Sequence, residues 1–343
     1  MTARTVAGLT VLPGWQARAP QPEDLADLIV LRGADQKAFT GSSSADAALV
    51  ESEAIGPASW TRHQAVVVDT EGRIRAWVVV HDRAAGRTMV ALYIDRTLTP
   101  PDLRSELAAA SYAWAAEQGL QFAQLRGRTG TRLDANPYAE DLEQRDWLGR
   151  AGYDCRRRWL NMTRPVVPGE DLPAVRAGVT IRPVERHPSG LPVAEDLQTV
   201  HRMLEESFQD HFNSYRESFP EFTQRLREDP SHRWDHWWLA FVDDPEHPDA
   251  PPLPAGAVVC SVLGANVSGA EGTYVEYIGV NRLARGRGVA KGLLYTVIGD
   301  AADRGRNRVG LEVDADSPTN ADQLYRSMGW DTDYLTESWF RDL

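Results

Sequence analysis

The chain runs through one order of elements twice, and this repeat limits the fold more than any single stretch does. Trp15-Gln-Ala-Arg-Ala19 with Glu23-Asp-Leu25 is echoed by Val179-Thr-Ile-Arg-Pro183 with Glu195-Asp-Leu197, in each case a strand followed by an amphipathic helix. His63–Asp69 and Arg73–His81 read as a hairpin turning at Thr70-Glu-Gly72. Trp237–Val242 and Ala257–Gly264 repeat it across the Pro/Asp-rich loop Asp243–Pro254. Strand Thr88–Asp95 matches Thr273–Val280, and helix Pro101–Glu117 matches Gly288–Asp303. Strand Gln121–Arg126 matches Arg308–Val313, and the helix with its Gly-aromatic end, Leu142–Tyr153, matches Gln323–Trp330. Arg157–Thr163 and Leu335–Phe340 close the two copies. The order β-α-α-β-β-β-α-β-α-β predicts an α/β fold for each half, a mixed sheet flanked by helices. Pro165, Pro168 and Pro173 mark a linker, so the expected domains are residues 1–166 and 179–343, joined by residues 167–178.

The second copy holds the stretch richest in chemistry, Arg285-Gly-Arg-Gly-Val-Ala290. It joins the β-branched run Thr273–Val280 to the helical run Ala290–Ile298. Strand, glycine turn and helix N-terminus together make an anion site, because glycines let backbone N–H groups approach a phosphate and the helix dipole favours negative charge. It is not a P-loop, since no Gly-Lys-Ser/Thr follows. Nor is it the dinucleotide fingerprint, whose glycine spacing differs.

Arg285, Gly288 and Ala290 fill the pattern [Q/R]-x-x-G-x-[G/A], so the stretch resembles the pyrophosphate loop of the GNAT acyltransferases. The segment Asn320–Trp330, with Leu324-Tyr325 and Gly329-Trp330, resembles that family's helix ending in L-Y-x-x-x-G-F. Asp322–Gln323 stand where the family usually has a small residue. The element order is also the family's, so the whole chain resembles a tandem GNAT protein, of which the mycothiol synthases are one kind. Val313–Asp316 and Phe208–His211 carry that second likeness.

The resemblance implies transfer of an acetyl group from acetyl-CoA to an amine by direct attack on the thioester, with no metal. At pH 7 an alkyl amine of pKa ~10.4 is protonated, and holding it neutral costs about 4.6 kcal/mol. A base or a desolvating pocket must supply that. Glu276 is the candidate base. It lies four residues before Val280 on the strand entering the glycine loop, where many similar enzymes carry a base acting through water, and Glu is otherwise depleted in strands. Its alternative is a solvent-facing strand residue. His211 and Glu312 are the other candidate bases. Tyr325 is the candidate donor to the departing sulfur; its alternative is a core tyrosine, since Ala321, Leu324, Tyr325 and Met328 form an apolar stripe.

For the donor, the resemblance implies that the backbone of Ile278, Gly279 and Val280 splays from a neighbouring strand to pair with pantetheine. Gly279 is compatible with a bulge that frees those groups. Arg285, Gly286, Arg287, Gly288, Val289, Ala290 and Lys291 would surround the phosphates. Asn320 would hold pantetheine amides or phosphates, or serve only as a helix N-cap. In the first copy, Asp95 is followed by Arg-Thr-Leu-Thr-Pro-Pro, and prolines offer no N–H. Aligning the copies sets Ala91 opposite Glu276 and Leu148 opposite Tyr325. The first domain is therefore expected to be structural, or to line the substrate cleft.

Charge narrows the partners. Residues 1–166 balance 20 Lys+Arg against 20 Asp+Glu, whereas residues 167–343 hold 17 against 29. The acidic half suits a cationic acceptor, such as an amino sugar, an antibiotic-like amine or a pseudopeptide. Trp234, Trp237 and Trp238, with His232 and His236, offer flat walls or ordinary core. Arg304, Arg306 and Arg308 read as a salt-bridged face, whereas Arg282–Lys291 sit where a phosphate ligand would need them. No broad basic surface points to nucleic acid, and no apolar run is long enough to span a membrane. The N-terminal residues lack a signal peptide's apolar core, and two cysteines in different halves make a disulfide framework improbable; a cytoplasmic monomer or homodimer is expected. Acetylation of a protein N-terminus or lysine, or acyl-CoA binding without turnover, are the competing functions.

Overall fold

The computed structural model describes residues 6, 8–42, 45–83, 86–207, 217–244, 246–247, 249–266, 268–317 and 320–343. The first half runs β1 (Gln16–Arg18), α1 (Leu25–Thr40), α2 (Ala47–Ala54), β2 (Arg62–Val68), β3 (Ile74–Asp82), β4 (Arg87–Ile94), α3 (Pro101–Leu125), β5 (Arg132–Ala135), α4 (Leu142–Arg150) and β6 (Asp154–Pro165). The second repeats it as β7 (Val179–Pro183), α5 (Ala194–Ser207), α6 (Phe219–Glu228), β8 (His232–Val242), β9 (Leu253–Leu263), β10 (Gly272–Val280), α7 (Val289–Asp303), β11 (Arg308–Asp314), α8 (Ala321–Ser327) and β12 (Asp331–Asp342).

All of these strands join one sheet, in the order β1-β2-β3-β4-β5-β12-β6-β11-β10-β9-β8-β7. The halves have exchanged their last strands. β12 pairs with β5, Phe340 opposite Asp134, and β6 pairs with β11, Leu311 opposite Met162. β6 and β12 also pair with each other, so the seam is an antiparallel ladder, with register shifts between Thr332 and Tyr334 and between Ser338 and Trp339.

Alternation along the strands builds a core on each face. Ala76, Val78 and Val80 of β3 pack with residues of α3 and α4, while Trp77 and Val79 pack with α1 and α2. In the second half, Val258 and Cys260 of β9 face α7 and α8, and Ala257 and Val259 face α5 and α6. Cys260 is buried and Cys155 exposed, and both are free.

One expected strand is wrong. Gln121–Arg126 continues α3, which ends at Leu125, and the strand that follows is Arg132–Ala135. Gln121–Leu125 has no β-branched residue and no helix breaker, and the chain turns only at Gly127, with φ +64°. No described helix is long and apolar enough to cross a membrane.

Candidate active site

Strands β10 and β11 run parallel, but pair only from Thr273 opposite Val309 to Val275 opposite Leu311. Beyond that point β10 stays with β9, Tyr277 through Val280 opposite Val259 through Gly256, and leaves β11. The edge of Ile278, Gly279 and Val280 that faces β11 is thereby free of the ladder.

The bulge lies elsewhere than at Gly279. The β9–β10 register shifts between Val275 and Tyr277, which makes Glu276 the extra residue. Gly279 is in register with Ala257, and its missing Cβ serves a close approach instead: a methyl there would lie 2.7 Å from Ser207 Oγ on α5. The β3–β4 ladder is unbroken from Ala76 to Asp82. Met89 of the first half, paired with Asp134, therefore matches Val275, and Glu276 has no counterpart; Ala91 falls opposite Ile278.

The bulge turns Glu276 into a cavity of about 550 Å³ between the halves. Its lining includes Arg32, Glu53, Tyr93 and Tyr138 from the first half, and Arg225, Glu228, His232, Glu276 and Tyr334 from the second. Glu228 locks the halves together beside it: its carboxylate accepts from Arg62 Nη1 (2.9 Å) and Thr61 Oγ1 (3.0 Å), and its carbonyl from Ser52 Oγ (2.8 Å). The sequence allowed the first half as a wall of the cleft but did not point to Arg32, Glu53, Tyr93 or Tyr138, because contacts between distant segments leave no local periodicity.

Two carboxylates that line the cavity are shifted upward by burial, Asp35, which Arg96 holds in an ion pair, and Glu276. Burial raises the Glu276 pKa against a hydrogen bond donated by Ser261 Oγ to Oε1 at 2.6 Å. Burial drives His81 down to about 2, helped by Arg62, Arg83 and Arg225, and drives His232 down to about 4. Both histidines are therefore neutral at pH 7, and Glu276 is the shifted carboxylate that no arginine holds in an ion pair among the described residues. Glu312 lies exposed on β11 and takes a hydrogen bond from Thr336 Oγ1 at 3.2 Å. His211, with the rest of Phe208–His211, lies outside the described residues.

The glycine loop leads into α7 through two left-handed residues, Gly286 (φ +78°) and Gly288 (φ +86°). Val289 is buried and anchors the helix, and the N–H groups of its first turn have no intrahelical partner. Arg285 and Lys291 are exposed and, among the described residues, have no acidic partner. Arg287 is engaged, Nη1 donating to Asp243 O at 3.0 Å. Arg304 pairs with Asp300 and Asp235, Arg306 donates to Thr273, and Arg308 to backbone carbonyls; these three serve the structure. Asn320 sits at the N-cap position of α8 with φ 50°, yet its side chain makes no capping bond.

Tyr325 does not line the cavity. It packs in the core on the α7 face, edge-on to Trp330 with ring centroids 5.9 Å apart. Burial lifts its phenol to about 12. Glu276 and Tyr325 thus flank the splayed strands from opposite faces of the sheet.

The first half is closed where the second is open. β4 leaves β5 after Met89, but Gln144 Nε2 reaches Leu92 O (3.4 Å) on the freed edge. Arg104 Nη1 fills the turn before α3 by donating to Leu98 O (2.6 Å) and Arg96 O (3.3 Å).

The acetyltransferase (GNAT) family model matches residues 197–330. A GCN5-related N-acetyltransferase from Sphaerobacter thermophilus is similar over 97% of both chains, at 23% identity and a TM-score of 0.70. A tandem GNAT protein from the clavulanic acid biosynthesis pathway is similar over 96% of this chain and 98% of its own, at 15% identity and a TM-score of 0.69. The second half carries the match to the GNAT family, and the whole chain has the fold of a tandem GNAT protein. Its fold extends to a more distant relative, Saccharomyces cerevisiae N-myristoyltransferase with bound myristoyl-CoA, at 12% identity, a TM-score of 0.59, and 98% and 80% coverage of the two chains. No curated protein matches the sequence. The family model matched by residues 197–330 and the fold of the whole chain support an acyltransferase.

Proposed function

We propose that this tandem GNAT protein is an N-acetyltransferase. Its second half binds acetyl-CoA, and the cavity between the halves takes a small amine. The observation that carries the reading is Glu276, placed by a bulge at the mouth of the splayed strands and turned into that cavity. The freed edge of Ile278–Val280 supplies backbone groups for pantetheine, and the glycine loop with Arg285 and Lys291 faces the phosphates. Asn320, uncommitted as a cap, is available to the same ligand. Glu276 accepts the proton of the incoming ammonium. The neutral nitrogen attacks the thioester carbon, the C–N bond forms and the C–S bond breaks, and the second proton that the nitrogen loses goes to the departing thiolate, which leaves as the CoA thiol.

A cavity of about 550 Å³ suits a small molecule. An extended peptide wants a groove, so a small amine is favoured over a protein terminus or lysine. Tyr93, Tyr138 and Tyr334 give it flat walls, and Glu53 and Glu228 give it acidic groups, as an amino sugar, antibiotic-like amine or pseudopeptide requires. The first half contributes walls and no donor site, since Gln144 and Arg104 occupy the places that pantetheine and phosphate would need.

The test is thiol release from acetyl-CoA across a panel of small amines and peptides, with calorimetric stoichiometry. One donor per chain and turnover with a small amine are expected. Two equivalent donor sites, or turnover with peptides alone, would refute the assignment.

Tyr325 is proposed to steady the sulfur by hydrogen bonding rather than by giving up its proton. A phenol at about 12 against a thiol near ~8.5 makes full transfer uphill by roughly 5 kcal/mol. Tyr325→Phe is expected to lower kcat by about tenfold while donor affinity is kept, as befits an interaction made in the transition state. The loss should shrink with a donor whose thiol is more acidic. Equal losses with both donors would return Tyr325 to a packing role.

A further inference from the structure

The linker between the halves is laid along α7. Leu172 Cδ1 lies 3.8 Å from where a Cβ on Gly299 would stand, Val175 Cγ1 lies 3.7 Å from one on Gly292, and Arg176 Cδ 2.7 Å from one on Gly288. The segment thus follows the helix from its C-terminal end back to its first turn, and glycines mark the track. At the end of that track Arg176 rests its stem on the bare Cα of Gly288. Its Nη1 donates to Gly286 O at 3.2 Å.

This is an unfavourable place for an uncompensated cation. The N-terminus of a helix carries roughly half a positive charge, which is why cations are usually stabilised at the other end. Among the described residues Arg176 has no carboxylate partner, and neither do Arg285 and Lys291 on the same corner. Three cations meet at this helix N-terminus, Arg285 on the glycine loop, Lys291 in the first turn of α7 and Arg176 delivered by a separate segment, and an anion bound there would relieve all three together. One hydrogen bond to Gly286 leaves most of the guanidinium's five donors available.

We propose that Arg176 is a ligand of the donor's diphosphate, which makes the linker a third wall of the donor site. This rests on the reading of acetyl-CoA as donor. The diphosphate is favoured over the ribose phosphate because Arg176 lies across the residue that opens α7, where the unbonded N–H groups of the first turn converge. The guanidinium offers two-pronged contact to phosphate oxygens that a lysine ammonium cannot reproduce.

The test compares wild type, Arg176→Ala and Arg176→Lys with three donors: acetyl-CoA, its analogue lacking the 3′-phosphate, and acetyl-pantetheine. Calorimetry reads affinity for the first two, and kcat/KM is measured with all three. Arg176→Ala should bind both phosphorylated donors about tenfold more weakly, as expected for a charge-assisted hydrogen bond at the surface, and should be unchanged with acetyl-pantetheine. Arg176→Lys should recover part of the loss, and added salt should shrink it. Unchanged or tighter acetyl-CoA binding by Arg176→Ala would overturn the proposal. So would an equal loss with acetyl-pantetheine, which would mean general damage, or a loss that vanishes without the 3′-phosphate. Wild-type protein that binds neither phosphorylated donor would overturn the donor reading itself, and this proposal with it.

Discussion

Glu276→Gln is expected to lower kcat/KM at pH 7 by about 10²–10⁴-fold, the range of a general base. The variant keeps the side chain's length and a hydrogen-bonding oxygen for Ser261, so the bulge survives and the basicity is lost. The pH profile decides the matter. Burial raises the Glu276 pKa above the usual carboxylate value, and the base works only when ionised, so wild-type activity should fall as pH drops through that raised value. The variant should lack this acid limb. Its deficit should also narrow at high pH, where the amine loses its proton unaided. An unchanged profile in the variant would show that another group takes the proton.

Gly288→Asp should remove measurable acetyl-CoA binding, a loss of more than about 10²-fold. Three effects add. The residue has φ +86°, where an L-residue is strained by about 1–3 kcal/mol. Its Cβ would fall 2.7 Å from Arg176 Cδ and displace that side chain. A carboxylate would then occupy the positive end of α7 and repel the phosphates. Gly269→Asp is the control, since Gly269 has φ +78° with no neighbour in reach of a Cβ. Calorimetry on both variants, with thermal melts to show that both fold, separates the strain from the site. Equal binding by the two variants would remove the glycine loop from the donor site.

What could be read from the sequence was what local pattern encodes. Period-2 runs gave the strand Thr273–Val280 almost to the residue, and the Arg285–Ala290 turn announced itself by its glycines. The misplaced strand at Gln121–Arg126 shows the limit of pattern in a stretch of good helix formers. Gly279 is compatible with a bulge because glycine often marks one, yet Glu276 carries it and Gly279 serves a close approach of α5. Arg32, Tyr93 and Tyr138 were invisible as cavity residues, because what makes them so is a second segment lying far along the chain. Strand partners are equally silent. Leu335–Phe340 reads as a closing strand whichever half it closes.

The exchange of closing strands sets a timetable for synthesis. A nascent chain that has emerged as far as Pro165 holds β1 to β5 with the outer edge of β5 bare, because the strand that covers it begins at Asp331. β6 has by then neither of its partners, β11 and β12. Such open edges invite pairing with other chains until the second half has been made. A fragment of residues 1–166 and one of residues 179–343 each lack a strand that the other carries, and the two are expected to be soluble when expressed together and to aggregate when expressed alone.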